Sequence, residues 1–167
     1  MTRQTVIHPL GPVFNAGSRV LILGTMPSPA SRAGAFYYLH PRNRFWTVLA
    51  ALFNEPVPDS NESRRDLALR HGIALWDVLA RCTIEGAGDA SIRDPVANDI
   101  AGLLGQTGIR AIFTTGQTAG RLYRRLCQPQ TGLAAAVLPS PSPANCAVST
   151  SELIECYRAI LPWLITR

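Results

Sequence analysis

The sequence contains no lysine: all 16 of its basic residues are arginine. That absence removes two chemistries at once. A P-loop needs its G-K-[ST] lysine and pyridoxal chemistry needs a Schiff-base amine. Cysteine is scarce, and Cys82, Cys127, Cys146 and Cys156 form no C-x-x-C pair, which argues for buried or free thiols and against a zinc or iron–sulfur site. "GTMPSP" at 24–29 is not G-x-G-x-x-G, so no Rossmann dinucleotide site is expected, and no G-x-S-x-G elbow supports a serine hydrolase of that type. No metal or cofactor is implied. No apolar run reaches the roughly 18 residues of a membrane span, and "MTRQTVIHPLGP" lacks an apolar signal core, so a cytoplasmic protein with no membrane partner is expected.

What is present suits one compact domain: 167 residues, 47% of them hydrophobic, with a formal charge of +5. Arginine forks onto phosphate and stacks on planar groups, so an all-arginine basic protein fits a nucleic-acid partner. A GC-rich genome would produce the same bias through codon use alone.

Four apolar runs read as strands: "RVLILGT" (19–25), "GIALWDVL" (72–79), "RAIFTTG" (110–116) and "AAAVLPS" (134–140). Helices are expected at 43–53, at 61–71 with Asp59 or Ser60 as cap, at 96–105, at 117–127, and after a cap at Ser149 or Thr150. Between the second strand and the third helix, "RCTIEGAGDASIRDP" reads as a polar, glycine-bearing loop, with Asp89 as a loop-structuring acid. Continuous apolar strands alternating with helices predict an α/β fold with a parallel sheet covered on both faces.

Ligands of such sheets gather at the carboxyl ends of the strands, near the point where strand order reverses. Two stiff Pro/Ser loops, "GTMPSPAS" (24–31) and "LPSPSPANC" (138–146), follow strands directly and share that rim with "WDVLARCTIEGAGD". Pro fixes the backbone while Ser leaves hydroxyls and amides free for an anion. The first loop runs into "AFYYLHPRNRFW" (35–46), with five aromatics and two arginines in twelve residues, a composition suited to bases and phosphates. Phe45 and Trp46 fit the core of the following helix; Tyr37 and Tyr38 are better placed to face a ligand. His40 has no obvious carboxylate partner and reads as structural or solvent-facing. Asp77 is either a site residue or an ion-pair acid near Arg81.

Taken together, "LILGTMPSPAS", "FYYLHPRNRFW", "LWDVLARCTIEGAGDASI", "FTTGQTAGRLY" and "LPSPSPAN" resemble the uracil-DNA glycosylase superfamily, and within it the hypoxanthine-DNA (deoxyinosine) glycosylase family, over about residues 19–162. The resemblance implies a three-layer α/β/α sandwich on a four-stranded parallel sheet in a single domain, acting on DNA that contains a deaminated base, hypoxanthine preferred and uracil possible. No cofactor is expected, and a monomer is the expected state. The uracil enzymes carry Asp or Asn in the first motif where this chain has Met26, and His or Asn in the second where it has Ser140. By resemblance to the deoxyinosine family the catalytic role passes to Asn43. Tyr38, with Phe45 as alternative, is implied as the aromatic platform, and Asp77 as the base reader. Ser28, Ser31, Ser140 and Ser142 would grip the DNA backbone, Arg42 and Arg44 would meet phosphates, and Ala144 and Asn145 stand where the family inserts a wedge.

The competing classes are a non-catalytic nucleic-acid or nucleotide-binding α/β module and a flavodoxin-like enzyme with a phosphate-bearing ligand. The first would bind deoxyinosine without releasing base; the second would absorb near 450 nm.

Glycosylases that also nick the strand attack the sugar with an amine and form a Schiff base. With no lysine, the remaining primary amine is the N-terminus, on a segment that precedes the first strand and gives no sign of reaching the cleft. Water is therefore the expected nucleophile. Strand breaks should appear only after alkali or a separate lyase, and borohydride during turnover should trap no protein–DNA adduct; a trapped adduct would replace the water mechanism.

Overall fold

The computed structural model describes residues 3–85 and 91–165. Along the chain run β1 (Arg3–Ile7), β2 (Val20–Gly24), α1 (Pro29–Gly34), α2 (Phe45–Leu52), α3 (Asn61–Arg70), β3 (Ile73–Asp77), β4 (Leu79–Glu85) and β5 (Ile92–Ala97). They are followed by α4 (Ile100–Gly105), β6 (Ala111–Thr115), α5 (Gln117–Leu126), α6 (Gln128–Thr131), β7 (Ala135–Leu138), α7 (Thr150–Tyr157), a 3₁₀ turn at Arg158–Ile160 and α8 (Leu161–Leu164).

The four expected strands form one parallel sheet in the order β3-β2-β6-β7. In β2, Val20 and Ile22 pack into the cluster beneath α2, α3 and α7, whereas Leu21 and Leu23 pack into the opposite one with Ile100, Leu103 and Tyr123 of α4 and α5. Successive side chains of a strand point to opposite faces, so a run without polar interruption requires cover on both. The three layers expected from the resemblance follow from that requirement. Chain order leaves β2 toward β3 on one side and toward β6 on the other, which sets the reversal point between Gly24 and Thr115.

Local signals fix the helices. Ser60 and Ser63 form a reciprocal capping box at α3, and Ser149 with Glu152 does the same at α7. The stretch expected as open loop after β2 contains the six-residue α1, capped by the Ser28 hydroxyl with Pro29 at its first position.

A second sheet was not expected. The polar segment after β3 is a strand pair, β4 and β5, and β1 adds to it in the antiparallel order β1-β4-β5. Its loop reading is therefore corrected for 81–85 and 91–95, while Asp89 lies outside the described residues. The helix expected from 96 begins at Ile100, after an Asp99 cap, because Val96 and Ala97 belong to β5. Pro95 sits in β5, an edge strand, where a missing N–H costs least. Among the described residues, no helix is long and apolar enough to cross a membrane.

Beyond α2, which carries Phe45, Glu55 is clamped to the end of α3 by Arg70 at 2.8 Å and by His71. Hydrogen bonds from Arg70 and then His71 pull the Glu55 carboxyl down to about 2. A depressed carboxylate stabilises the fold above its unfolded pKa and loses that contribution as pH falls through the folded value. Stability measured by urea midpoint should therefore fall between about pH 4.5 and about pH 2, and Glu55→Gln should lack this portion of the decline.

Candidate functional site

A cavity of about 700 Å³ opens over the carboxyl ends of the parallel strands. Gly24 from β2 with Thr25 just beyond it, Asp77 from β3, Thr115 from β6 and Ser140 from the loop after β7 reach it together, so every parallel strand or its end contributes. Tyr37, Tyr38, His40, Arg42 and Asn43 form one wall; Ser28 and Ser31 belong to another. Gln4 and Val6 from β1, with Ile84 and Ile92 from β4 and β5, supply a largely apolar third wall. The N-terminal segment thus does reach the cleft, contrary to expectation. It is held there by pairing of Arg3–Ile7 with Arg81–Glu85.

Among the described residues lining the cavity, Asp77 is the only acid. Its side chain is 5% exposed, and His8, 2% exposed, donates or shares a hydrogen bond with Asp77 Oδ2 at 2.8 Å. Burial pushes the Asp77 carboxyl up, while the hydrogen bond and charge of His8 and a backbone hydrogen bond from Gly24 oppose that shift. The ion-pair alternative named Arg81, but Arg81 is exposed on β4 and the partner is His8.

Gly24 makes this arrangement possible. A Cβ at that position would lie 2.5 Å from Asp77 Oδ1 and 3.4 Å from the Tyr38 hydroxyl. The carboxylate rests directly on the β2 backbone, and only glycine leaves room.

Tyr38 adopts φ = 58°, left-handed backbone that a bulky residue rarely takes. Its ring stacks on Phe45 at 3.9 Å and 16°, and its hydroxyl shares a 3.3 Å hydrogen bond with Thr115. Strain at a cavity wall persists only when its surroundings enforce it. Phe45 provides that enforcement, being fully buried at the start of α2. Of the two expected platform residues, Tyr38 therefore faces the cavity and Phe45 backs it. Burial first, and the Asp77 charge second, push the hydroxyls of Tyr37 and Tyr38 upward, so both keep their protons. Tyr37 donates its own to the carbonyl of Gly11 at 2.7 Å.

Asn43 lines the cavity, and its Oδ1 accepts the backbone N–H of Phe45 at 2.9 Å, which fixes the amide plane. His40 also lines the cavity, with Nδ1 accepting the backbone N–H of Arg42.

The expected DNA contacts divide into two groups. Arg42 is exposed at the cavity wall, and Ser140 and Ser142 sit on the opposite loop, where their hydroxyl oxygens accept the backbone N–H groups of Ser142 and Ala144. Ser28, half-buried, caps α1. The others build the loops. Ser31 is 2% exposed and accepts the backbone N–H of Leu39. Arg44 donates to the carbonyls of Val148 at 2.6 Å and Asn145 at 2.9 Å, and Asn145 donates to that of Ser140 at 3.0 Å. Ala144 is exposed at the rim and Met26 lines the cavity half-buried.

His8, Gln4, Val6, Ile84 and Ile92 were missed. Their signal was the β-branched run Thr5-Val6-Ile7 before His8, too short to distinguish a strand from a lead-in.

An aromatic ring and a buried carboxylate stand beside each other at the reversal point of a parallel sheet, with Pro/Ser loops around them, an arrangement that suits a planar base carried on a polyanion. The family model of the uracil DNA glycosylase superfamily matches residues 12–164. The chain belongs to that superfamily. A protein of Methanosarcina acetivorans named hypoxanthine DNA glycosylase is 35% identical over 135 residues, 80% of this chain and 84% of its own. One of the same name from Methanosarcina barkeri is 32% identical over 136 residues, 80% of this chain and 85% of its own. A solution NMR structure from Methanosarcina acetivorans, assigned as a uracil DNA glycosylase, superposes with a TM-score of 0.78 at 30% identity, covering 94% of this chain and 99% of that one. The family and fold expected from the five motifs are borne out.

Gly24→Ala should displace Asp77 from the cavity and cut base release at least tenfold while the protein still folds. Tyr38→Ala should forfeit about 1–3 kcal/mol of base stacking, read as a roughly 5- to 150-fold weakening of damaged-duplex binding. Unchanged binding in Tyr38→Ala would remove it as the platform.

Proposed function

We propose that the protein is a DNA glycosylase that receives a deaminated base in this cavity, hypoxanthine before uracil, and hydrolyses its N-glycosidic bond; the absence of lysine, and not the place of the N-terminal segment, supports a monofunctional reaction. The observation that carries the reading is the buried Asp77 carboxylate beside the Tyr38 ring at the strand-end cavity, in a chain whose relatives bear the name hypoxanthine DNA glycosylase. Hypoxanthine offers N1–H as a donor, and a carboxylate accepts it; uracil offers N3–H in the same sense.

A base inside a duplex cannot reach such a pocket, so it must leave the stack, at a cost of a few kcal/mol that phosphate contacts offset. Arg42, Ser28, Ser140 and Ser142 are assigned those contacts. Arg44, Ser31 and Asn145 are assigned the supporting role of holding the loops that present them. The bond between the sugar C1′ and the purine nitrogen breaks with its electron pair leaving on the base. The sugar passes through an oxocarbenium-like state, a water oxygen bonds to C1′, and the proton that this water sheds reaches the departed purine by way of solvent.

Asn43 is assigned the water. One lone pair of its Oδ1 is held by the Phe45 amide, and the second can accept from the incoming water and face the developing positive charge. An amide cannot take the proton, so catalysis rests on positioning and on a leaving group relieved by protonation or hydrogen bonding at N7 and O6. Asp77 selects the base more than it speeds departure, because an accepting carboxylate does not stabilise negative charge on the purine.

Duplexes each carrying one damaged base, scored for abasic sites, test the substrate order: deoxyinosine should lead and deoxyuridine follow. Asn43→Ala should lower base release by about 10²-fold or more with little change in duplex affinity, the scale of a lost positioned polar group. Near-normal turnover would take Asn43 out of the mechanism. Affinity should also fall steeply with salt, with a slope of roughly one per phosphate contact, and Arg42→Ala should reduce that slope.

A further inference from the structure

We propose that His8, outside the residues matched by the family model, is a positioning residue for base selection: held as its Nε2–H tautomer, it keeps Asp77 an acceptor-only carboxylate, which admits a base with an N–H edge and rejects adenine. The inference rests on the glycosylase reading above and names how that site discriminates.

The argument starts at the other ring nitrogen. The backbone N–H of Leu10 donates to His8 Nδ1 at 3.1 Å. A nitrogen that receives an N–H carries no hydrogen of its own, so the ring proton sits on Nε2. Nε2 faces Asp77 Oδ2 at 2.8 Å, and its N–H can only donate. Asp77 must then accept, and a second acceptance comes from the Gly24 backbone. A carboxyl proton toward His8 would meet another proton. With the side chains 2% and 5% exposed, little water competes for these positions.

The remaining lone pairs of the carboxylate are offered to the cavity, which Asp77 lines. Hypoxanthine differs from adenine at this edge in two respects: it carries the acceptor O6 where adenine carries an amino group, and its N1 bears a hydrogen where N1 of adenine is a bare acceptor; the second is what the carboxylate reads. An acceptor against an acceptor leaves both unpaired in a buried site, which is a large penalty. Deamination therefore converts a repelled edge into a matched one. Without His8 the buried carboxyl would take a proton more readily, become a donor, and match adenine instead.

Among the described residues, the other titratable groups around this pair are few. Tyr37 and Tyr38 face Asp77 with protons retained, and Arg32, His40 and Arg42 line the same cavity. Val6, Ile84 and Ile92 close the side from which β1 arrives.

The experiment has two arms. In the first, ¹⁵N spectra of the histidine rings in the full chain report the tautomer without any substrate: His8 should show a protonated Nε2 and an unprotonated Nδ1, and an Nδ1–H tautomer would overturn the proposal. The Asp77 carboxyl, followed by ¹³C, should titrate at higher pH in His8→Ala than in the parent. In the second, single-turnover release is compared for deoxyinosine and deoxyadenosine across pH. His8→Ala should lose at least tenfold in discrimination and shift the acidic limb to higher pH, with His8→Gln, whose amide N–H can replace Nε2–H, restoring most of both. If His8→Ala lowers release by one factor at every pH with discrimination intact, His8 only packs, and the proposal fails. Absence of base release in the parent protein would sink the glycosylase reading alone, because the spectra still decide the tautomer; a variant that does not fold leaves the parent's spectra to decide it as well.

Discussion

The whole site depends on keeping one carboxylate out of water. Burying a charge costs several kcal/mol unless hydrogen bonds replace its hydration. Asp77 obtains them from the His8 ring and the Gly24 backbone, and each places a demand on a distant part of the chain. Gly24 must lack a side chain. His8 must be carried to the cavity, which explains why an N-terminal strand is paired to β4 and not left loose. The antiparallel sheet is thus more than a cover: it delivers the hydrogen-bond donor that makes a buried acid tolerable.

The opposite wall rests on a similar dependence. Tyr38 holds a left-handed backbone because Phe45 lies flat behind its ring and Thr115 meets its hydroxyl. The same turn places Asn43, whose side chain accepts the backbone N–H of Phe45 and lines the cavity. Arg44 then ties that turn to the 138–149 loop through two carbonyls. Four consecutive functions therefore sit on residues 42–45: a cavity-wall arginine, a cavity amide, a loop clamp and a ring support.

Much of this was legible in the sequence, and for physical reasons. Strands buried on both faces leave unbroken apolar runs, and "VLILG" and "AIFTT" could hardly be read otherwise. Caps such as Ser60 and Ser149 announce themselves because few residue types satisfy free helix amides. The rim location of the Pro/Ser loops followed from the parallel sheet. What stayed hidden depends on distant pairing. Half of β4 and β5 is polar, since one side of their sheet faces solvent, and their ladder is broken by register shifts, so no clean alternation marks them. Arg44 looked like a phosphate ligand because its carbonyl partners lie about a hundred residues away. Nothing near His8 in sequence reveals a carboxylate.

The separation of 69 positions from His8 to Asp77 also bears on how the molecule comes to be active. Contacts between distant segments form late, after the entropy of closing a long loop has been met by other interactions. The parallel sheet also needs β6 and β7, which are synthesised after both members of the pair. A nascent chain therefore holds its acid and its histidine well before the scaffold that brings them together. Competence to select a base arrives at the end of folding, as a property of the closed molecule and of no shorter fragment.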